Sequence, residues 1–201
     1  MAYEAFMLWR AEQRTALVFE KALAQPLPLK LSDLSERQRE ILIKVEDPGF
    51  YRHGGVDFSS PGQGMTTIPQ ALVKTLYFER FTPGFDKIEQ SLIAYFVLDR
   101  HLSKEKQLTI FLNLVYLGES NGHSIHGFAD AARIYFRKEF LDLSEDEFIG
   151  LVGMIAGPNV FHPTRHAEAY NNRVRRIRNL LSGHCQPRNV FDNLYQDCPD
   201  I

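Results

Sequence analysis

Apolar residues recur along the chain at helical spacing, and proline and glycine mark the breaks between runs. Phe6, Trp9, Leu17, Val18 and Leu23 lie among charges and predict a helix over 1–24, ended by Pro26 and Pro28. Ser32 or Ser35 suits the cap of a second helix through Ile41, Leu42, Ile43 and Val45. A turn-rich stretch with Pro48, Gly49, Gly54 and Gly55 follows, then a loop over 57–64 and a helical run over 70–77. Beyond Pro83 and Gly84 the centre of 88–99 is apolar nearly all round, which predicts a buried helix. Ser103 caps the next helix, whose buried face is Leu108, Phe111, Leu112 and Val115. Gly118 and Gly122 bracket a loop, and 128–136 reads as a short helix. Ser144 to Glu147 is a capping-box signature. Over 167–182, Tyr170, Val174, Ile177 and Leu181 share one helical face, with Gly183 at its C-terminal cap. No convincing strand alternation appears, so the expected fold class is all-α.

A chain of 201 residues suits a single domain over 1–201. Its 44% hydrophobic content supports a real core and excludes general disorder. The net charge of −2 shows no basic excess of the kind that marks a nucleic-acid partner. The longest apolar run, 92–98, is far short of the roughly 18–20 residues a spanning helix needs. Glu4, Arg10, Glu12 and Arg14 interrupt the start, so neither a signal peptide nor a transmembrane anchor is expected. Cys185 and Cys198 sit near the C-terminus, where a bond between them would close only a small loop.

Four short motifs carry the chemistry. They are Glu46-Asp47-Pro-Gly-Phe50-Tyr51-Arg52-His53-Gly-Gly55; Gly64-Met-Thr66-Thr67-Ile-Pro69-Gln70-Ala71-Leu-Val-Lys74; Leu98-Asp99-Arg100-His-Leu-Ser103-Lys104 with Phe111-Leu112-Asn113; and Gly127 through Ala131-Ala132 to Tyr135-Phe136 and Lys138. In this order they resemble the family 51 glycosyltransferases, which polymerise lipid II into peptidoglycan. The resemblance covers about 30–180, and Glu147 with Ala156-Gly157-Pro158 resembles the family's closing motif. It implies a lysozyme-like helical head built on the 88–99 helix and a smaller, reduced jaw near 56–84.

Displacing a lipid diphosphate with a sugar hydroxyl needs a base on the nucleophile and cationic or hydrogen-bonding groups on the leaving group. By resemblance Glu46 is the base for the acceptor's 4-hydroxyl, Asp47 supports it, and His53 braces the turn. Thr66, Gln70 and Lys74 are spaced four apart, which puts them on one helical face as a phosphate-binding strip. Thr67 belongs to the same segment. The resemblance also implies lipid II and the nascent glycan strand as partners. A divalent cation, Mg or Mn, would accompany the diphosphate, with no tightly bound cofactor. The site of action would be the extracytoplasmic face of the bacterial cytoplasmic membrane.

The chain departs from the family at the second catalytic glutamate. The matching position, eight residues before Asp99, is Ser91. Glu89 stands two residues away, and a shifted helix start would bring it to the cleft as the second carboxylate. Lys87 falls where the family has an arginine, keeping the charge without the bidentate fork. Two other functions therefore stand beside the polymerase: a degenerate member that binds lipid II, glycan or a synthase partner without turnover, and a glycan hydrolase, which needs two facing carboxylates. Arg173, Arg175, Arg176 and Arg178 form a basic stretch suited to a solvated face or to lipid headgroups. His123 with His126, and His162 with His166, lack a third ligand at metal-site spacing.

Overall fold

The computed structural model describes residues 2–198. Helix α1 (Ala2–Ala24) opens the fold, but its inner face is not the aromatic one. Met7, Ala11, Thr15 and Ala22 are buried, whereas Phe6, Trp9, Leu17 and Leu23 lie exposed. Small residues let α1 approach closely enough for Thr15 Oγ1 to reach the Tyr77 hydroxyl at 2.8 Å. Arg14 Nη2 donates to the Tyr77 carbonyl at 2.8 Å. Ser35 caps α2 (Glu36–Glu46), accepting from the Gln38 amide at 3.1 Å, and Ile41, Leu42 and Val45 face inward.

Thr67 caps α3 (Ile68–Tyr77), with Pro69 in the first turn, where its missing N–H leaves no bond unmade. α3 packs on α6 (Lys104–Leu114), so its apolar face belongs to the common core. Helix α4 (Phe85–Ile93) runs through a π-turn at Ala94–Leu98 into the short α5 (Asp99–His101). This long helix is not enclosed all round as its composition predicts. Tyr95 and Phe96 on the π-turn remain 46% and 39% exposed.

The expected loop around 118–122 is a hairpin, β1 (Tyr116–Ser120) against antiparallel β2 (His123–His126). Asn121 and Gly122, at φ 52° and 77°, form its turn. An Asn-Gly pair favours that geometry and was the sequence signal for it. α7 (Phe128–Ala131) continues into a second π-turn at Ala132–Phe136. Ser144 caps α8 (Glu145–Ile155), and α8 packs against both α2 and α9 (Ala167–Leu181). One hydrophobic cluster, from Met7 to Cys198, joins these elements. Among the described residues no helix is long and apolar enough to cross a membrane. Cys185 and Cys198 are bonded to each other, closing a small C-terminal loop.

Several motif residues are fasteners. Asn113 holds the 25–30 linker, accepting from the Leu29 amide at 3.0 Å and donating to its carbonyl at 2.8 Å. Lys104 Nζ donates to Asp99 Oδ1 at 2.6 Å and to the His53 carbonyl at 2.9 Å, tying the turn after α2 to the long helix. Glu147 completes the α8 capping box and pairs with Lys138. Gly55, at φ 102°, lies against the π-turn so closely that a Cβ there would stand 2.3 Å from the Ala94 carbonyl oxygen. Gly55→Ala is therefore expected to cost at least about 1–3 kcal/mol, read as a lower midpoint in urea unfolding at unchanged slope.

Candidate active site

A cleft of about 1100 Å³ opens beside the C-terminal end of α2. Glu46, the last residue of α2, lies half-buried in its wall with Val45, Gln63 and Arg173. Burial pushes the Glu46 carboxyl up to about 8. The Arg173 guanidinium opposes that rise and the Asp47 carboxylate adds to it. A carboxyl that loses its proton near pH 8 suits proton abstraction from a sugar hydroxyl at neutral to mildly alkaline pH.

Asp47 does not reach the cleft. It is fully buried and joins three segments. One oxygen accepts from the Ile68 amide at 2.9 Å, in the first turn of α3. The other meets His53 Nε2 at 2.8 Å. His53 Nδ1 accepts from the Gly55 amide at 3.0 Å, so Nε2 carries the hydrogen and donates to Asp47. Both ring nitrogens are occupied, which makes His53 a brace.

The same cleft carries cations. Lys87 Nζ donates to Thr66 Oγ1 at 3.0 Å, and Lys74 Nζ lies 5.0 Å from the centre of the Phe81 ring. All four residues line the cleft. Burial first, and the Lys74 charge second, pull the Lys87 ammonium down to about 8. Thr67 lines the cleft too, but its hydroxyl donates to the Gly55 carbonyl at 2.7 Å.

Gln70 is not part of this strip. The expected spacing runs a helical face back through Thr66, yet the helix begins only after its cap at Thr67. Gln70 is buried instead. It accepts from the Thr67 amide at 2.9 Å and donates to Ser91 Oγ at 2.8 Å. Glu89 does not face Glu46. It lies outside the cleft lining, where Asp86 is its neighbouring carboxylate and Arg14 and Arg10 of α1 are its neighbouring cations. Ser91 also lies outside the lining, whereas Gln90 is within it. The π-turn holds one extra residue between Gln90 and Asp99, and each residue of a helix turns the side chain by about 100°. Gln90, nine residues before Asp99, lines the cleft. Gln90 Nε2 donates to the Gln70 carbonyl at 2.6 Å, and its Oε1 has no partner among the described residues.

The arginine stretch on α9 is not a common basic face. Arg173 is 2% exposed, lying four residues before Ile177 on the buried side, a phase already visible in the sequence. Arg178 pairs with Asp146, and Arg175 donates to Asn172. Among the described residues no three His, Cys, Asp or Glu side chains converge as metal ligands. Arg173, Gln63 and Gln90 are the cleft residues that motif reasoning passed over. Each is buried with a polar atom unpartnered among the described residues.

The transglycosylase family matches residues 15–182 of the chain. Penicillin-binding protein 1B of Vibrio cholerae is 32% identical over 173 residues, covering 80% of this chain and 22% of that protein. Penicillin-binding protein 1B of Haemophilus influenzae is 31% identical over 170 residues, covering 78% and 21%. Penicillin-binding protein 1A of Neisseria lactamica is 32% identical over 165 residues, covering 76% and 20%. The chain thus spans about a fifth of the length of these curated relatives.

Proposed function

Because the chain belongs to the transglycosylase family, we propose that it polymerises lipid II into a β-1,4 glycan strand, with Glu46 as general base. The observation that carries this reading is a half-buried carboxyl, raised to about 8, in the same cleft as two ammonium groups. Glu46 takes the proton of the acceptor's 4-hydroxyl. The freed oxygen pair attacks the donor's anomeric carbon from the face opposite the diphosphate. The carbon–oxygen bond to phosphate breaks, its electrons leave on the diphosphate, and the configuration inverts. Lys74, Lys87 and Thr66 meet the growing negative charge. A Mg or Mn ion that accompanies the diphosphate as its counter-ion would be part of the substrate. Met65, Ile88 and Phe191 stay exposed in the cleft lining, which suits a lipid-linked substrate at the extracytoplasmic membrane face.

Lys74→Ala and Lys87→Ala should each weaken binding of a lipid II analogue by about 10–100-fold, the worth of one charge-assisted contact. Calorimetric titration checks this. Lys87 is about half neutral at pH 8 in the free protein, so the diphosphate recharges it on binding. Titrations near pH 8 should therefore take up protons, and Lys87→Arg should abolish that uptake.

One observation favours a second reading. Glu89, the expected second carboxyl, lies outside the cleft lining, which suits a module that holds lipid II, glycan or a synthase partner without turnover. Glycan ladders from purified protein and lipid II, absent with Glu46→Gln, establish the polymerase. Tight analogue binding without ladders, across cations and detergents, establishes the module.

A further inference from the structure

Residues 183–198 follow the family match and carry its unexplained feature, a disulfide-closed strap. The strap docks on the loop beside Glu46. Gly62 donates its amide to the Asn189 carbonyl at 3.0 Å, and Gly64 to the Val190 carbonyl at 2.7 Å. Both glycines have positive φ. A Cβ on Gly62 would stand 2.8 Å from Pro187, and one on Gly64 2.8 Å from Asn193. Loop and strap therefore make one close-fitted wall, and Phe191 and Asn193 reach the cleft from it.

Tyr195 is the strap's inward anchor. It is 1% exposed, and its backbone sits at φ 51°, a conformation costly for an aromatic residue. Its hydroxyl donates to the Val45 carbonyl at 3.2 Å, one residue before Glu46. Its ring lies 4.9 Å from the Arg173 guanidinium carbon. Arg173 in turn attracts the Glu46 charge, while its Nε and Nη1 lack partners among the described residues. A strained, buried tyrosine that touches both the backbone of the base and the base's cation is placed to hold the two together.

We propose that the Cys185–Cys198 strap is a positioning element for Glu46, acting through Tyr195, which holds Arg173 near the carboxylate and seals that wall of the cleft from water. This rests on the reading of Glu46 as the base. The charged or titratable groups around Glu46 include Asp47 at the end of its helix, Arg173 from α9, Tyr195 and Asp192 from the strap, and Lys74, Glu79, Lys87, Tyr116 and His126 in the cleft lining. Burial dominates the Glu46 shift, so opening the strap lowers its pKa even as Arg173 loosens.

The test is a carbon-13 NMR titration of the Glu46 carboxyl, assigned by its loss in Glu46→Gln. It is run on the wild type, Tyr195→Ala, Tyr195→Phe and Cys185→Ser/Cys198→Ser, beside pH profiles of lipid II polymerisation. The expected result is a downward shift of about one pH unit or more in Tyr195→Ala and in the double serine variant, with the acid limb of the profile moving alongside. The polymerisation kcat falls by about tenfold while KM changes far less. Tyr195→Phe, which keeps the ring over Arg173, shifts less and covers the case in which Tyr195→Ala fails to fold. An unchanged Glu46 titration in the folded strap variants overturns the proposal. If the wild type makes no polymer, the polymerase reading fails separately, and the carboxyl titration still decides the role of the strap.

Discussion

Glu46→Gln is expected to lower lipid II polymerisation by about 10²–10⁴-fold, the contribution of a positioned general base. The amide keeps the shape and cannot take a proton. Binding of a lipid II analogue should change little, because the cations that meet the diphosphate are untouched. In the active protein, kcat/KM should form a narrow bell near pH 8. On the acid side it rises as Glu46 ionises at about 8. On the alkaline side it falls as Lys87 loses its charge, also at about 8. Lys87→Arg keeps its charge at every working pH and should flatten the alkaline limb alone.

Glu46→Gln should also stabilise the protein above about pH 4.5. The folded pKa of Glu46 lies above its ordinary value of 4.5, so over that interval the folded state holds a proton that the unfolded state has released. Its contribution to stability is full below about pH 4.5 and is lost as the pH rises through about 8. Glutamine carries no such penalty. The melting temperature of Glu46→Gln relative to wild type should therefore be higher at pH 9 than at pH 5. A variant that is more stable and inactive separates a chemical role from a folding one.

The second large effect is expected at Asp47. Asp47→Ala leaves the Ile68 amide and His53 Nε2–H without their acceptor, both inside the protein. Each buried donor left unpaired costs about 1–3 kcal/mol, so about 2–6 kcal/mol together. For a domain of this size 1 kcal/mol is worth about 2–4 °C in melting temperature. Against a usual total of about 5–15 kcal/mol, the loss is a large share of the stability. The effect reaches the site through geometry. Asp47 ties the end of α2, which carries Glu46, to the start of α3 and to the turn at His53. A folded remnant should lose activity at every pH, and the acid limb should move downward, because the Asp47 charge that helps raise Glu46 is gone. Asp47→Asn should fall between, because one amide oxygen still accepts while the NH2 faces a donor. Scanning calorimetry and pH-resolved polymerisation distinguish these outcomes from those of Glu46→Gln.

The sequence by itself determined the helices whose caps and periodicity are local. Ser35, Ser103 and Ser144 stand where the helix starts lie, because a hydroxyl accepting from a backbone amide three residues on is a short-range bond. It also placed Glu46, Lys74 and Lys87 among the candidates, because an ordered set of motifs identifies its family. The face each side chain shows was less legible. The aromatic face of α1 lies outward because packing against Tyr77 favoured the small residues Ala11 and Thr15. Gln70 turned inward because its side chain closes the capping box at Thr67 and donates to Ser91, and Thr66 lies outside the helix, which begins at Ile68. The helix that carries them continues into a π-turn, and Gln90 lines the cleft whereas Ser91 does not. Arg173 lies on the buried phase of its own helix, and the disulfide-closed strap adds the Tyr195 ring beside it. Caps and motifs are read from near neighbours along the chain. Register, burial and the electrostatics of the cleft arise between segments up to 150 residues apart, as in the Tyr195–Val45 hydrogen bond, and only the assembled fold brings those segments together.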